Sequence, residues 1–215
     1  MAALPAPVQH DLRPATWLVV ADVVAKALLA FVVVQVAIDP GWGNLEGKAP
    51  GTRALTYPLL AIVVPALHFL GLVRGPYPWG ADLLVTIPGF SDLLGNRLDF
   101  YDHVVWFDDL MHVVGTGCLA GAAVILSGDA GASLRRRLAV ALAWGMTLAL
   151  SWEVWELVAF VRRSAEIGTA YADTVGDLGL GWVGAALAAV LVGRSGDREA
   201  AVDRDGLTGD VAGRV

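Results

Sequence analysis

Residues 105–126 read VWFDDLMHVVGTGCLAGAAVIL. The run is long and apolar enough to cross a bilayer as one helix, yet Asp108, Asp109 and His112 stand at its start. Two further runs repeat the pattern. RLAVALAWGMTLALSWEVWELVAF (137–160) carries Glu153 and Glu156 near its end, and GDLGLGWVGAALAAVLVG (176–193) carries Asp177 at its start, with Asp173 just ahead. Charged side chains are expensive inside a membrane and face the bundle interior for a functional reason. Each pair also has helical spacing: 108/112 and 173/177 are four apart, 109/112 and 153/156 three apart, so each places two polar groups on one helix face.

Composition sets the class. The 215 residues are 56% hydrophobic and only 17% charged, with a mean hydropathy of +0.61. These values predict an all-α, polytopic transmembrane helix bundle of five or six helices. Three stretches organise the chain: a polar N-terminal lead over 1–14, the bundle over 15–193, and a disordered cytoplasmic tail over 194–215, where Gly, Asp and Arg replace large apolar residues. The first apolar run, Thr16–Ile38, is too long for a signal h-region and reads as a spanning helix. A second helix is expected over 53–73 despite Pro58 and Pro65. The stretch 79–94 is ambiguous, because Asp82, Pro88 and Asp92 interrupt it. Helices are expected at 105–126, 137–160 and 176–193.

A net charge of −6, with no basic run beyond Arg135–Arg137, argues against nucleic-acid partners. The single cysteine, Cys118, excludes an internal disulfide and a thiolate metal cage, and reads as a packed thiol. Positive charge marks cytoplasmic loops. Whether or not 79–94 spans, the Arg135–Arg137 loop and the tail fall on the basic side, so the protein is expected in the cytoplasmic (inner) membrane with its C-terminus cytoplasmic. The three acidic pairs then converge on one layer near the extracytoplasmic face. Trp106, Trp155, Tyr171 and Trp182 fall at similar depth, as an interfacial aromatic belt would.

Converging carboxylates at low dielectric must take up protons, pair with cations or bind metal. An oxygen-rich set with one imidazole suits Mg, Mn, Fe or Zn. The expected metal ligands are Asp109, His112, Glu156, Asp173 and Asp177, with Glu153 and Glu156 as catalytic carboxylates that act on water beside the ion. Competing readings stay open at this level: a structural ion network completed by Arg162 and Arg163, or solvated N-terminal aspartates at 108 and 173. His68 reads as a core histidine within possible reach of the site, Asp22 with Lys26 as a structural pair, and His103 beside Asp102 as part of an interfacial loop. Zinc-protease, nucleophile-elbow and Walker motifs are absent from the sequence. The glycines of GTGCLAGAA and GLGWVGAA have the small-residue spacing of close helix packing.

YDHVVWFDDLMHVVGTGCLAG (101–121), SWEVWELVAF (151–160) and ADTVGDLGLGWVGA (172–185) together resemble the VanZ-like and YjdF-like bacterial membrane proteins. The resemblance covers about residues 95–190. It implies that Asp109, His112, Glu153, Glu156, Asp173 and Asp177 are the polar family positions, and that Gly181 stands where the family usually has Asn. These families are tied to envelope physiology rather than to a defined reaction. The resulting expectation is a metal-dependent enzyme that works among membrane lipids on a lipid or lipid-linked envelope substrate. The alternatives are a small proton- or ion-coupled transporter and a non-catalytic scaffold. The apolar inner halves of the last three helices favour a dead-end pocket over a through-path.

Overall fold

A computed structural model describes residues 15–212, with the side chains of 166 and 194–212 excepted; the expected polar lead over 1–14 lies outside the described residues. The fold is all-helical there. Helix α1 spans Thr16–Ile38, α2 Pro50–Thr56, α3 Pro58–Phe69, α4 Trp79–Arg97, α5 Phe100–His103, α6 Phe107–Leu126, α7 Leu134–Ala159 and α8 Ala170–Ala212. Among the described residues, five segments are long and apolar enough to cross a membrane: Thr16–Ile38, Pro50–Phe69, Phe107–Leu126, Leu134–Arg163 and Ala170–Gly193. Large side chains such as Trp17, Phe31, Ile62, Trp144 and Leu191 point outward, as an envelope facing lipid tails requires.

The expected second helix is two. Pro58 has no N–H to give the helical ladder, so the chain breaks at Tyr57 and restarts. It ends at Phe69 rather than 73, since Gly71 adopts φ +72°. Helix α7 starts three residues early, where Ser133 caps it through the Arg136 N–H (3.4 Å). Helix α8 starts six residues early, which brings Asp173 into its first turn, and its backbone continues past Arg194 to Ala212.

The ambiguous stretch resolves into α4, a helix of bundle length, at roughly 28 Å for its 19 residues. Its course can be followed through its neighbours. Gly80 faces Leu18 of α1 and Ile125 of α6, Gly121 of α6 faces Leu84, and Gly95 faces Phe107. Helix α4 therefore runs parallel to α1 and antiparallel to α6 along their length. It lacks the hydropathy of the other spans because Asp82, Thr86, Asp92 and Asn96 lie on it, and all four are buried. Its polar face is turned inward and its apolar residues complete two cores, Val64, Ala81, Val85 and Ala122 in one, Leu29, Val36, Leu45, Tyr57 and Leu93 in the other.

The third core belongs to α6, α7 and α8 and is built from small residues: Ala120, Ala141, Ala185 and Ala189 around Val124 and Val140. Here backbone meets backbone. A β-carbon on Gly117 would stand 3.1 Å from the Gly184 carbonyl oxygen, and one on Gly184 would fall on the Val113 carbonyl. Gly145 of α7 sits equally tightly against Ala185 and Ala120. Of the glycines that the sequence reading took as architectural, Gly117 and Gly184 sit at this contact, whereas Gly179 has nothing within 4 Å.

Gly184→Ala should therefore lower the thermal unfolding temperature of the detergent-solubilised protein, at a cost of about 1–3 kcal/mol, because backbone atoms cannot give way as side chains do. Gly176→Ala, where nothing lies within 4 Å of the added carbon, should leave the unfolding temperature unchanged or raise it.

Candidate functional site

The close approach of α6, α7 and α8 brings their polar ends to one end of the bundle. His112 is the centre. Its Nε2 lies 3.6 Å from Asp108 Oδ1 and 3.5 Å from Asp177 Oδ1, and its Nδ1 lies 3.8 Å from Glu153 Oε1. Glu153 also accepts a 3.0 Å hydrogen bond from the Thr174 hydroxyl. Glu153 and Asp177 are buried, His112 is nearly so, and the Asp108 side chain is 48% exposed. The cluster is thus closed on the bundle side and open past Asp108.

These separations exceed good hydrogen bonds but suit a shared cation. One ligand atom each from Asp108, His112 and Asp177 lies within 4.8 Å of the other two. Ligands held about 2.0–2.2 Å from one ion stand about 3–3.6 Å from each other. The ring's second nitrogen faces a carboxylate that is itself anchored, which is how metal-binding imidazoles are oriented.

The sequence-predicted residues divide. Asp108, which the sequence reading left among the N-terminal aspartates, stands in the group of three with His112 and Asp177; α6 has no side-chain cap. His112 and Asp177 are in place, and Glu153 lies behind the ring. Asp109 and Asp173 are exposed; they lie within electrostatic reach of Asp177 but outside the group of three. Glu156 is half-buried and lies within electrostatic reach of Glu153, Arg53, Asp108 and Asp92. His68 does not reach this end: its ring packs on Phe69 and Tyr77. Arg162 and Arg163 are exposed at the surface and form no ion pair among the described residues.

The cation near the acids is Arg53, which sequence reasoning missed. It is 3% exposed and pairs through Nη1 with Asp92 Oδ2. Its Nη1 also donates to the Tyr57 hydroxyl (2.9 Å), and its Nε to the Lys48 carbonyl (2.9 Å). Asp92 further accepts from the Tyr57 and Tyr101 hydroxyls, at 2.6 and 3.2 Å, and from Asn96. The rings of Tyr57, Trp152, Trp155 and Phe160 surround the guanidinium at 5.3–5.9 Å. Trp155 forms part of this box and packs on Trp152 with ring centroids 4.7 Å apart. Burial, and then the Asp92 charge, push the Tyr101 phenol well above its ordinary range, so it stays a donor. The only available signal was Asp92 and Asn96 four apart in a stretch too polar for lipid.

Beyond the buried groups the connecting segments are latched together. Asn44 Nδ2 donates to Asp99 Oδ1 (2.6 Å), and Lys48 Nζ to Asp102 Oδ2 (2.8 Å). His103 pairs with Asp99 at 2.7 Å rather than with its neighbour Asp102.

Asp92→Asn should cost about 3–5 kcal/mol in unfolding free energy, since it leaves Arg53 charged, buried and unbalanced; chemical denaturation in detergent measures it. The Lys48 latch should be pH-dependent. Lys48, through its hydrogen bond, holds the Asp102 carboxyl below its ordinary value. A depressed value means stability present above the unfolded-state range and lost as pH falls through the folded one. The stability gap between wild type and Lys48→Met should be below about 1 kcal/mol at neutral pH, and should vanish on titration below about pH 4.

No curated protein and no solved structure matches the chain. A family match covers residues 21–198, which takes in α4 and the Arg53 cluster as well as the C-terminal motifs. The chain is a multi-pass membrane protein and belongs to the family described as Predicted membrane protein (DUF2238).

Proposed function

We propose that Asp108, His112 and Asp177 hold a divalent metal ion, and that the protein is a metal-dependent membrane enzyme acting by hydrolysis or transfer on a lipid or lipid-linked envelope substrate. The observation that carries this reading is the two-sided environment of His112, with Nε2 facing two carboxylates from α6 and α8 and Nδ1 facing the anchored Glu153. Two carboxylates and one imidazole suit Mg, Mn, Fe or Zn. Such an ion would polarise a headgroup oxygen as a Lewis acid. Glu153 would fix the ring, and Glu156, between this cluster and Arg53, would take or return a proton. Gly181 packs closely against α6 and α7: a β-carbon there would stand 3.0 Å from Thr116 Oγ1 and 3.5 Å from the Ala149 methyl.

The lipid class of substrate rests on position. A surface groove lined by Thr52, Ser151, Val154, Trp155, Val158 and Ala159 runs between α2 and α7, beside Arg53 and Glu156 and within membrane-spanning segments. The resemblance to VanZ-like and YjdF-like proteins supports an envelope role. With α4 crossing beside its neighbours, Arg74, Arg135–Arg137 and the end of the last span at Arg194 share one end, opposite Lys48, Arg53, Arg97, Arg162 and Arg163. By the positive-inside bias the cluster opens on the extracytoplasmic face of the cytoplasmic membrane, and the C-terminus is cytoplasmic.

Elemental mass spectrometry of the purified protein after reloading with Mg, Mn, Fe or Zn is the test. About one equivalent is expected in wild type and in Asp109→Asn. A His112→Ala/Asp177→Asn variant with an unchanged unfolding profile should hold none. Equal metal in that variant, or none in wild type, would remove the proposal.

A further inference from the structure

The half of the bundle away from His112 contains a second buried polar group, built around Lys26. Its Nζ lies 2.8 Å from Asp22 Oδ1, 2.6 Å from Asp82 Oδ1 and 3.3 Å from Thr86 Oγ1. Asp22 is 1% exposed and Asp82 0%. The sequence pairs Asp22 with Lys26 alone; α4 adds the second carboxylate.

The charges do not balance. The Lys26 ammonium donates to two acceptors, Asp22 Oδ1 and Thr86 Oγ1, and stands in ion-pair contact with Asp82 Oδ1. Against this single positive charge stand two carboxylates. The remaining facing groups are neutral or uncharged at Tyr77, whose hydroxyl donates to Asp82 Oδ2, and at Thr86, which donates to the Asp82 carbonyl (2.9 Å). From α3 the nearest titratable group is His68, its ring 5.1 Å from Tyr77. Helix α6 contributes Leu119, Ala122 and Ile125, all apolar. With both acids ionised the site would hold a net negative charge in the apolar interior, which is costly.

We propose that Asp22, Lys26 and Asp82 form a proton-binding site, distinct from the His112 cluster, in which Asp22 carries one exchangeable proton. Asp82 Oδ1 lies in ion-pair contact with the Lys26 ammonium, without a hydrogen bond, and Oδ2 accepts from Tyr77. Among the described residues no hydrogen bond reaches Asp22 Oδ2, so that atom takes the proton. Proton loss from Asp22 would leave an uncompensated charge between α1 and α4. The site is thereby a proton-responsive joint, independent of whether the other end binds metal.

The test is infrared spectroscopy of the full-length protein in lipid nanodiscs, titrated from about pH 6 to about pH 9. The carbonyl band of a protonated carboxyl reads Asp22 without interference from His68. Wild type should show one more protonated carboxyl than Asp22→Asn at the low end of the range and lose it on titration. Asp82→Asn, which leaves a neutral Asp22–Lys26 pair, should also lack the band, while Lys26→Met, which leaves two acids, should gain a second. Asp22→Asn mimics the protonated form and should keep the wild-type fold; should it fail to fold, Asp82→Asn and the wild-type titration decide the same point. Identical carboxyl bands in wild type and Asp22→Asn, or in wild type and Asp82→Asn, would overturn the proposal. So would a sodium-dependent rise in wild-type unfolding temperature over choline at equal ionic strength, absent from Asp22→Asn, since the balancing charge would then be a metal cation.

Discussion

The backbone contact between α6 and α8 governs the arrangement of the polar groups at one end of the bundle. Gly117 and Gly184 let two helices approach until carbonyl and α-carbon touch. In lipid, where apolar burial gives helices little reason to associate, close van der Waals packing of this kind supplies much of the attraction. It also sets distance. Asp177 and His112 come from different helices and would not stand 3.5 Å apart if ordinary side chains separated α6 from α8. Gly145 draws α7 into the same contact, and with it Glu153. The polar cluster is therefore a product of three glycines lying one to three turns deeper in the bundle.

A different economy operates in α1–α4. There the helices pack through larger residues, Leu29, Val36, Tyr57 and Leu93, and the polar groups hold one another. Asp92 is satisfied by four side chains from three helical segments, and Lys26 gathers three oxygens. Removal of one member exposes the others to the full cost of an unpaired group at low dielectric. Helix α4 links the two regimes, since it borders α1 on one side and α6 on the other.

How far the sequence could be read follows from these differences. The helices of the C-terminal half are legible because hydropathy runs unbroken and the acids recur at helical spacing; Asp108, His112 and Asp177 meet as that spacing implies. Asp109 and Asp173 carry the same spacing, yet both are exposed. A pair four apart defines a face but not which way that face is turned, and only packing decides this. The opposite error concerns α4. A window average counts Asp82, Asp92 and Asn96 against a membrane helix, although each is buried against a partner. Those partners, Lys26 for Asp82 and Arg53 and Tyr57 for Asp92, lie 35 to 56 residues earlier in the chain, beyond any local pattern. The pairing of Arg53 with Asp92, rather than of Arg162 or Arg163 with the glutamates, is likewise a fact of three-dimensional proximity.

The direction in which those partners lie has a consequence for synthesis. Each charge on α4 that must be buried finds its counterpart in a helix made before it: Asp82 in α1, Asp92 in α2. A chain that emerges from the ribosome N-terminus first thus offers α4 a ready-made polar seam at the moment it must leave water, and a segment too hydrophilic to enter lipid alone can do so beside elder siblings. The histidine cluster follows the reverse schedule. Its last carboxylate arrives with α8, so no nascent form of the protein possesses it until α8 has been made.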